Sequence, residues 1–210
     1  PAQQSVDYIN AVVQDDITLV DDRLRLILGV KFERNDYTGW EIQPNLRGIW
    51  DAGDHHAVWV AMARAVRLPS RAERDMSIIT TVIPAEALPP DSPTTFVGIL
   101  GNRAIESEKL HAVEVGYRLR PTDPVFLDLT AFYNLYRDLI LTVPGDAPVV
   151  QTTPPPPYMI FPSTLANRME GETHGFELAG NWQASDWLRL QGIYSYMAMG
   201  LQVDAGVDES

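Results

Sequence analysis

"HAVEVGYRLRPTDPVFLDLTAFYNLYRDLI" (His111–Ile140) contains two long segments in which apolar and polar residues alternate. The segments meet at Pro121-Thr122-Asp123-Pro124, a sequence that neither a helix nor a central strand tolerates well. Alternation with a period of two gives a strand one apolar face and one polar face. The stretch therefore predicts a β-hairpin of two long strands joined by a tight turn.

The same pattern occurs three more times along the chain. Long alternating segments flank short turns at Asp21-Asp22, at "DAGD" (Asp51–Asp54) and at "QASD" (Gln183–Asp186). Segments of this kind separated by a few turn-forming residues are typical of hairpins. We therefore predict four hairpins, or about eight strands.

The connections between these hairpins vary widely in length, and some are much longer than the turns within the hairpins. Two of them, at about residues 68–107 and 143–169, are predicted to be long loops. In an antiparallel sheet alternate connections lie at opposite ends of the strands. One end of this sheet therefore carries short turns and the other end carries the long loops. Outer-membrane barrels have this asymmetry, and we predict an all-β fold, an antiparallel transmembrane β-barrel segment.

Strand length and the placement of aromatic residues favour the same fold class. Several predicted strands reach 11 or more residues, which is enough for a tilted strand to cross a bilayer. Tryptophans lie near predicted strand ends, as in the aromatic girdles of membrane barrels. They are Trp40, Trp50, Trp182 and Trp187.

Asp15 departs from this pattern, because it falls among the apolar residues of the first predicted strand. A carboxylate that faces lipid at mid-depth is costly. Two interpretations stay open: Asp15 lies near the short-turn rim, or a bulge shifts the strand register there.

Composition narrows the function classes. The formal net charge is −12, and the 16 lysines and arginines are scattered along the chain, which argues against a nucleic-acid partner. The chain has no cysteine, so a disulfide, a cysteine zinc site and a thiol nucleophile are excluded. No signal peptide is visible at the first residues. The longest apolar run, Ala57–Ala63, is far shorter than a membrane-spanning helix, so any span must consist of strands.

Four short motifs in a fixed order resemble the barrel of TonB-dependent outer-membrane receptors, especially those of the iron-siderophore type. The resemblance covers nearly the whole chain. The motifs are Gln14-Asp15-Asp16, Arg64–Pro69 followed by Ser70-Arg71, Gly101-Asn102 followed by Ser107-Glu108-Lys109, and "EGETHGFEL" (Glu170–Leu178).

The resemblance implies that residues 1–210 are an internal part of a barrel of twenty-two strands, without the plug domain or the C-terminal strand. It implies a receptor in the outer membrane of a Gram-negative bacterium that imports a ferric siderophore or a similar scarce nutrient. Its expected partners are outer-membrane lipid, the iron chelate, and the TonB complex through the plug region. The resemblance implies no enzymatic activity and no cofactor other than the transported ligand.

The sequence predicts no catalytic or metal-binding residues. The motifs GxSxG and HExxH are absent. His55 and His56 are adjacent, so in a strand their side chains point to opposite faces and do not easily bind one metal ion.

Arginines at the start of the first long loop are the main candidates for ligand binding. Guanidinium groups there could receive the carboxylate or catecholate groups of an iron complex. The alternative is a loop held by ion pairs with Glu73, Asp75 or Glu106. The candidate arginines are Arg64, Arg67, Arg71 and Arg74.

The proline-rich stretch "TTPPPPYMIFP" gives one more candidate, Tyr158. Four prolines favour a stiff polyproline II segment, and the aromatic and apolar residues after it could form a lip that captures ligand. The alternative is a structural loop without contact to ligand.

Two other functions remain open at this stage. A passive porin has the same pattern of strands and loops. A soluble β-sandwich that binds carbohydrate has alternating strands as well.

Overall fold

The structure is a computed structural model that describes residues 5–145, 147–153 and 155–204. Within these residues it consists almost entirely of strands, with one short α-helix, α1 (Arg71–Asp75), and one 3-10 helix, Ala85–Ala87. Neither helix is long and apolar enough to cross a membrane. The strands are β1 (Tyr8–Val20), β2 (Leu24–Asn35), β3 (Gly39–Asp51), β4 (His56–Arg67), β5 (Ser77–Ile83), β6 (Thr94–Leu100), β7 (Glu108–Thr122), β8 (Val125–Pro144), β9 (Val149–Gln151), β10 (Tyr158–Ser185) and β11 (Leu188–Val203).

The eight long strands expected from the sequence are all present, and they have 12 to 28 residues each. They form the four predicted hairpins, β1–β2, β3–β4, β7–β8 and β10–β11. Three short strands, β5, β6 and β9, add to them within the two predicted long loops. The predicted fold class, an antiparallel β-barrel segment, is confirmed.

The chain divides into two compact units. The first unit contains residues up to 66, 109–137 and 170–202. Its strands follow the order β1-β2-β3-β4-β7-β8-β10, and β11 pairs with β10. Among the described residues the sheet is open, since no pairing joins β1 to β11.

The first unit separates an apolar face from a polar face. On the apolar face of β3, Trp40 and Trp50 are 64% and 53% exposed. They are ten positions apart, or about 33 Å along the strand. A tilt of about 45° reduces this to roughly 24 Å, close to the roughly 25 Å height of the apolar band of membrane barrels. We call the rows of the apolar face between these tryptophans the apolar band.

The structure places Asp15 inside the apolar band. The register between β1 and β2 is unbroken through Asp15, which lies opposite Leu28, and it shifts only between Thr18 and Val20. Leu28 is in turn opposite Leu46, four positions from Trp50 on β3. Asp15 therefore lies in the same cross-strand row as Leu28 and Leu46, and the interpretation of a bulge at Asp15 is wrong. Its position near the short-turn rim stays a prediction, because the hydrogen-bonded rows of tilted strands change depth from one strand to the next.

The packing of Trp59 on the polar face depends on a glycine. The indole of Trp59 lies over Gly116, where an added Cβ would be 2.1 Å from the ring. The guanidinium of Arg47 lies 5.3 Å from the centre of the same ring. Large aromatic and charged side chains can pack flat against this wall because the glycine leaves them room.

A buried carboxylate also marks the polar face. Glu33 is 2% exposed. Its Oε2 accepts a hydrogen bond of 2.8 Å from the Tyr8 hydroxyl and pairs with Lys31 Nζ at 2.6 Å. These partners offset part of the cost of burying its charge, since the other oxygen, Oε1, is buried without a hydrogen-bond partner among the described residues.

The second unit contains residues 67–108 and 138–169 together with 203–204 at the described end of the chain. Its sheet joins β5, β6, the first residues of β10, and β9. β6 runs parallel to β10, and the other pairs are antiparallel. Ile105 and Leu165 are buried apolar residues of this unit.

Candidate functional site

The long loop after β4 begins with a helix that its sequence specifies. Ser70 and Glu73 form a capping box around α1: Glu73 N donates to Ser70 Oγ at 3.2 Å, and Ser70 N donates to Glu73 at 2.6 Å. A serine followed three residues later by glutamate satisfies two unpaired amides at a helix start. The loop therefore leaves the strand in a defined direction.

Arg67 connects this helix to Glu108 and, through Glu108, to Ile140, two further residues of the second unit. Its Nε lies 2.6 Å from Oε2 of Glu108, the first residue of β7, and its Nη2 lies 3.0 Å from Oε1 of Glu73. Glu108 also accepts a hydrogen bond of 2.9 Å from Ile140 N in β8. Partial burial raises the pKa of Glu73, but hydrogen bonds from Arg67 and Ser70 outweigh burial and hold the pKa below its ordinary value.

Asparagines fix the rest of the loop. Asn167 of β10 accepts from Glu106 N at 2.8 Å and donates to Glu106 O at 3.1 Å and to Asp138 O at 2.6 Å. Asn102 donates to Leu165 O at 2.9 Å. Such side-chain bonds satisfy backbone groups that a sheet would otherwise pair. The first long loop is thus an ordered body.

The sheet of the second unit is uncharged and leaves several aliphatic side chains exposed. We call β5, β6, β9 and Tyr158–Thr164 the long-loop sheet; its sequence contains no charged residue. Phe96 packs edge to face on Tyr158 with ring centres 5.3 Å apart. About half of the surface of Ile78, Val82 and Val150 remains exposed. An exposed apolar surface of this kind is typical of a binding site.

The candidate residues fall into both units. Arg67, at the end of β4, together with Arg71 and Arg74 of α1, belongs to the second unit, whereas Arg64 belongs to the first. Arg64 donates to the backbone carbonyl of Ile42 and lies 3.6 Å from Glu41. Tyr158 begins β10 in the long-loop sheet.

Ion pairs of the kind weighed as the alternative to ligand binding are present. Arg67 pairs with Glu73 at 3.0 Å, and Arg103 pairs with Asp75 at 2.7 Å. Arg71 and Arg74 have partners within the protein as well. Sequence reasoning overlooked the long-loop sheet, although the uncharged, β-branched run "SIITTVI" of β5 was a visible signal.

The histidines form no metal site in the described part of the chain, where no group of three or more metal-ligating side chains occurs. His56 Nδ1 lies 2.7 Å from the Tyr117 hydroxyl. The backbone carbonyl of His55 accepts from Arg120 N at 2.9 Å. His55 and His56 thus have contacts that hold the β3–β4 turn.

Comparison with protein families decides the family. The model of the TonB dependent receptor-like β-barrel matches residues 2–210. The chain belongs to this family. Comparison with curated protein sequences gives no match.

Solved receptors share the fold at low sequence identity. The siderophore receptor PirA from Acinetobacter baumannii is 19% identical with a TM-score of 0.76, over 91% of this chain and 27% of PirA. A variant of the ferric enterobactin receptor PfeA from Pseudomonas aeruginosa is 18% identical with a TM-score of 0.74, over 91% and 26%. The FrpB iron transporter from Neisseria meningitidis is 13% identical with a TM-score of 0.64, over 98% and 28%. The chain thus spans little more than a quarter of these receptors.

Proposed function

We propose that the chain is a wall segment of an outer-membrane receptor that imports a ferric siderophore, or a similar scarce nutrient, with energy from the TonB complex. The observation that carries the proposal is the family match over residues 2–210. The apolar band supports it, since its height suits a bilayer. The names of the structural neighbours, siderophore receptors and an iron transporter, suggest the kind of ligand.

Within this proposal the second unit meets the ligand. Arg67 positions the loop, because its guanidinium is bound to Glu73 and Glu108. Arg71 and Arg74 lie on α1, and Tyr158 lies in the long-loop sheet. These three residues offer cationic groups and an aromatic ring, which suit anionic or aromatic iron ligands. Arg64, in the first unit, is the remaining candidate contact.

Uptake of radioactive iron tests the proposal in a strain that makes the whole receptor polypeptide from its own gene. Deleting the gene should abolish uptake from at least one siderophore of a panel during iron restriction, and deleting TonB should do the same. Replacing Arg71, Arg74 and Tyr158 together by alanine should raise the siderophore concentration for half-maximal uptake by at least about tenfold. A matched control is Leu129→Ala on the apolar face. Uptake that persists without TonB would instead indicate a passive pore.

A further inference from the structure

Arg67 is held by two carboxylates that occupy different edges of its guanidinium. Glu108 takes one edge, with its Oε2 2.6 Å from Nε of Arg67. Glu73 takes the outer edge, where its Oε1 lies 3.0 Å from Nη2 and its Oε2 lies 3.3 Å from Nη1. Two parallel contacts of this kind are the arrangement in which arginine binds carboxylates and other paired oxygens. A carboxylate of the protein therefore fills the place on Arg67 that an anionic ligand would need.

The two carboxylates are held in different ways. Glu108 belongs to β7, its other oxygen accepts a hydrogen bond of 2.9 Å from Ile140 N, and its side chain is only 17% exposed. Glu73 belongs to α1, a helix of five residues, all of them described and none of them buried. The contacts of Glu73 with Arg67 are also longer than the contact of Glu108. Glu73 is therefore the partner that leaves Arg67 more easily.

The helix does not have to unfold when Glu73 leaves. Its carboxylate accepts from Ser70 N at 2.6 Å and its backbone N donates to Ser70 Oγ, and neither bond of this capping box involves Arg67. About half of the Arg67 side chain is exposed, so an oxyanion can reach its outer edge from solvent. A small rotation of the Glu73 carboxylate about the bond to Ser70 is sufficient to free that edge.

We propose that Glu73 is an internal substitute for the ligand: an oxyanion of the imported iron chelate, a carboxylate or a catecholate, displaces Glu73 and binds the outer edge of Arg67. This inference rests on the proposed function and adds both a contact and a form of regulation to the same site. The exchange replaces one oxyanion by another, so the charge around Arg67 and Glu108 stays balanced. Arg67 thus holds the loop before the ligand arrives and binds the ligand afterwards.

Competition by Glu73 lowers the apparent affinity for the chelate. An ion pair between exposed groups favours the paired state by a factor of up to about five. A ligand that binds only the open state loses affinity in proportion to the time for which the site is closed. Removing the charge of Glu73 should therefore strengthen binding. A Glu73 that only supports the loop would give the opposite result, because a looser loop holds the ligand less well.

Uptake of radioactive iron tests the exchange in cells that make the whole receptor polypeptide, with ferric enterobactin and ferric citrate as anionic probes. Glu73→Gln should lower the concentration for half-maximal uptake about threefold to fivefold. The maximal rate should stay the same, because glutamine keeps the capping box. In a receptor that already carries Arg67→Gln, the same change should have no effect. Glu86→Gln is the matched control, since it removes an exposed negative charge elsewhere in the second unit and should leave uptake unchanged.

The outcomes separate the exchange from the function on which it rests. If Glu73→Gln leaves the half-maximal concentration unchanged or raises it while wild-type uptake continues, the exchange is overturned and the receptor function stands. An equal gain from Glu86→Gln would also overturn the exchange, because the effect would then come from overall charge. If the wild type imports neither probe but imports an uncharged chelate, the ligand is not anionic and the exchange is again wrong. Failure to import any siderophore of the panel would contradict the proposed function itself.

Discussion

Replacing Gly116 even by alanine should destabilise the folded protein, because Trp59 occupies the space that a side chain would need. The Cβ of alanine would lie 2.1 Å from Cε2 and Nε1 of the indole, whereas carbon atoms in contact stay about 3.5 Å apart. The ring must therefore move by roughly 1.4 Å. Overpacking of this kind costs about 1–3 kcal/mol. Disturbing the contact with Arg47, 5.3 Å from the ring centre, adds up to ~1 kcal/mol.

Denaturant unfolding of the whole purified receptor in detergent measures this loss as a lower midpoint at unchanged slope. Gly192→Ala in β11 is the control, because a Cβ there meets no atom within 4 Å. Combining Gly116→Ala with Trp59→Ala should cost less than the sum of the two single changes, since the small side chain at 59 removes the clash. If Gly116→Ala unfolds at the same midpoint as Gly192→Ala, the reasoning is refuted.

Three further outcomes are expected. The pKa of Glu73 lies below its ordinary value of 4.5, so its carboxylate stabilises the loop above pH 4.5 and loses this effect as the pH falls through the lowered pKa. Protease cleavage within residues 68–107 should therefore rise at that low pH. Glu73→Gln should make the cleavage less dependent on pH. Leu28→Arg, at mid-band, should cost about 2–4 kcal/mol in unfolding, against at most ~1 for Trp40→Arg. Asn167→Ala removes three hydrogen bonds and should expose the same loop to protease without lowering the barrel midpoint; equal cleavage of variant and wild type would contradict this.

The long strands could be predicted from the sequence because a strand whose two faces lie in different environments must alternate apolar and polar residues. The tight turn at Pro121–Pro124 left few alternatives, and β7 and β8 lie where the alternation places them. Register was beyond reach, since it depends on which residues of two strands face each other. Asp15 illustrates this: its position opposite Leu28 follows from the pairing of β1 with β2, and no single strand contains that information.

The long loops were less predictable, because tertiary contacts decide their structure. β6 pairs in parallel with β10, more than fifty residues away in sequence. The capping box at Ser70 and Glu73 could have been read from its spacing. Of the two partners of Arg67, Glu73 was among the acids weighed from the sequence, whereas Glu108 could not be foreseen, since it is 41 residues away. The candidate arginines came from a plausible chemical role, whereas the strands of the long-loop sheet carried no functional motif and only the uncharged run of β5 marked them.

The uncharged strands of the long-loop sheet have a consequence for biogenesis. Before the sheet forms, β5 and β6 are seven-residue segments without charge or proline, the composition that favours intermolecular cross-β association. Charged residues flank them in the chain: Arg74 and Asp75 before β5, Asp91 before β6 and Arg103 after it. These gatekeepers, with the net charge of −12, keep nascent chains apart. Replacing these flanking charged residues should lower the yield of inserted receptor before it affects the properties of the folded receptor.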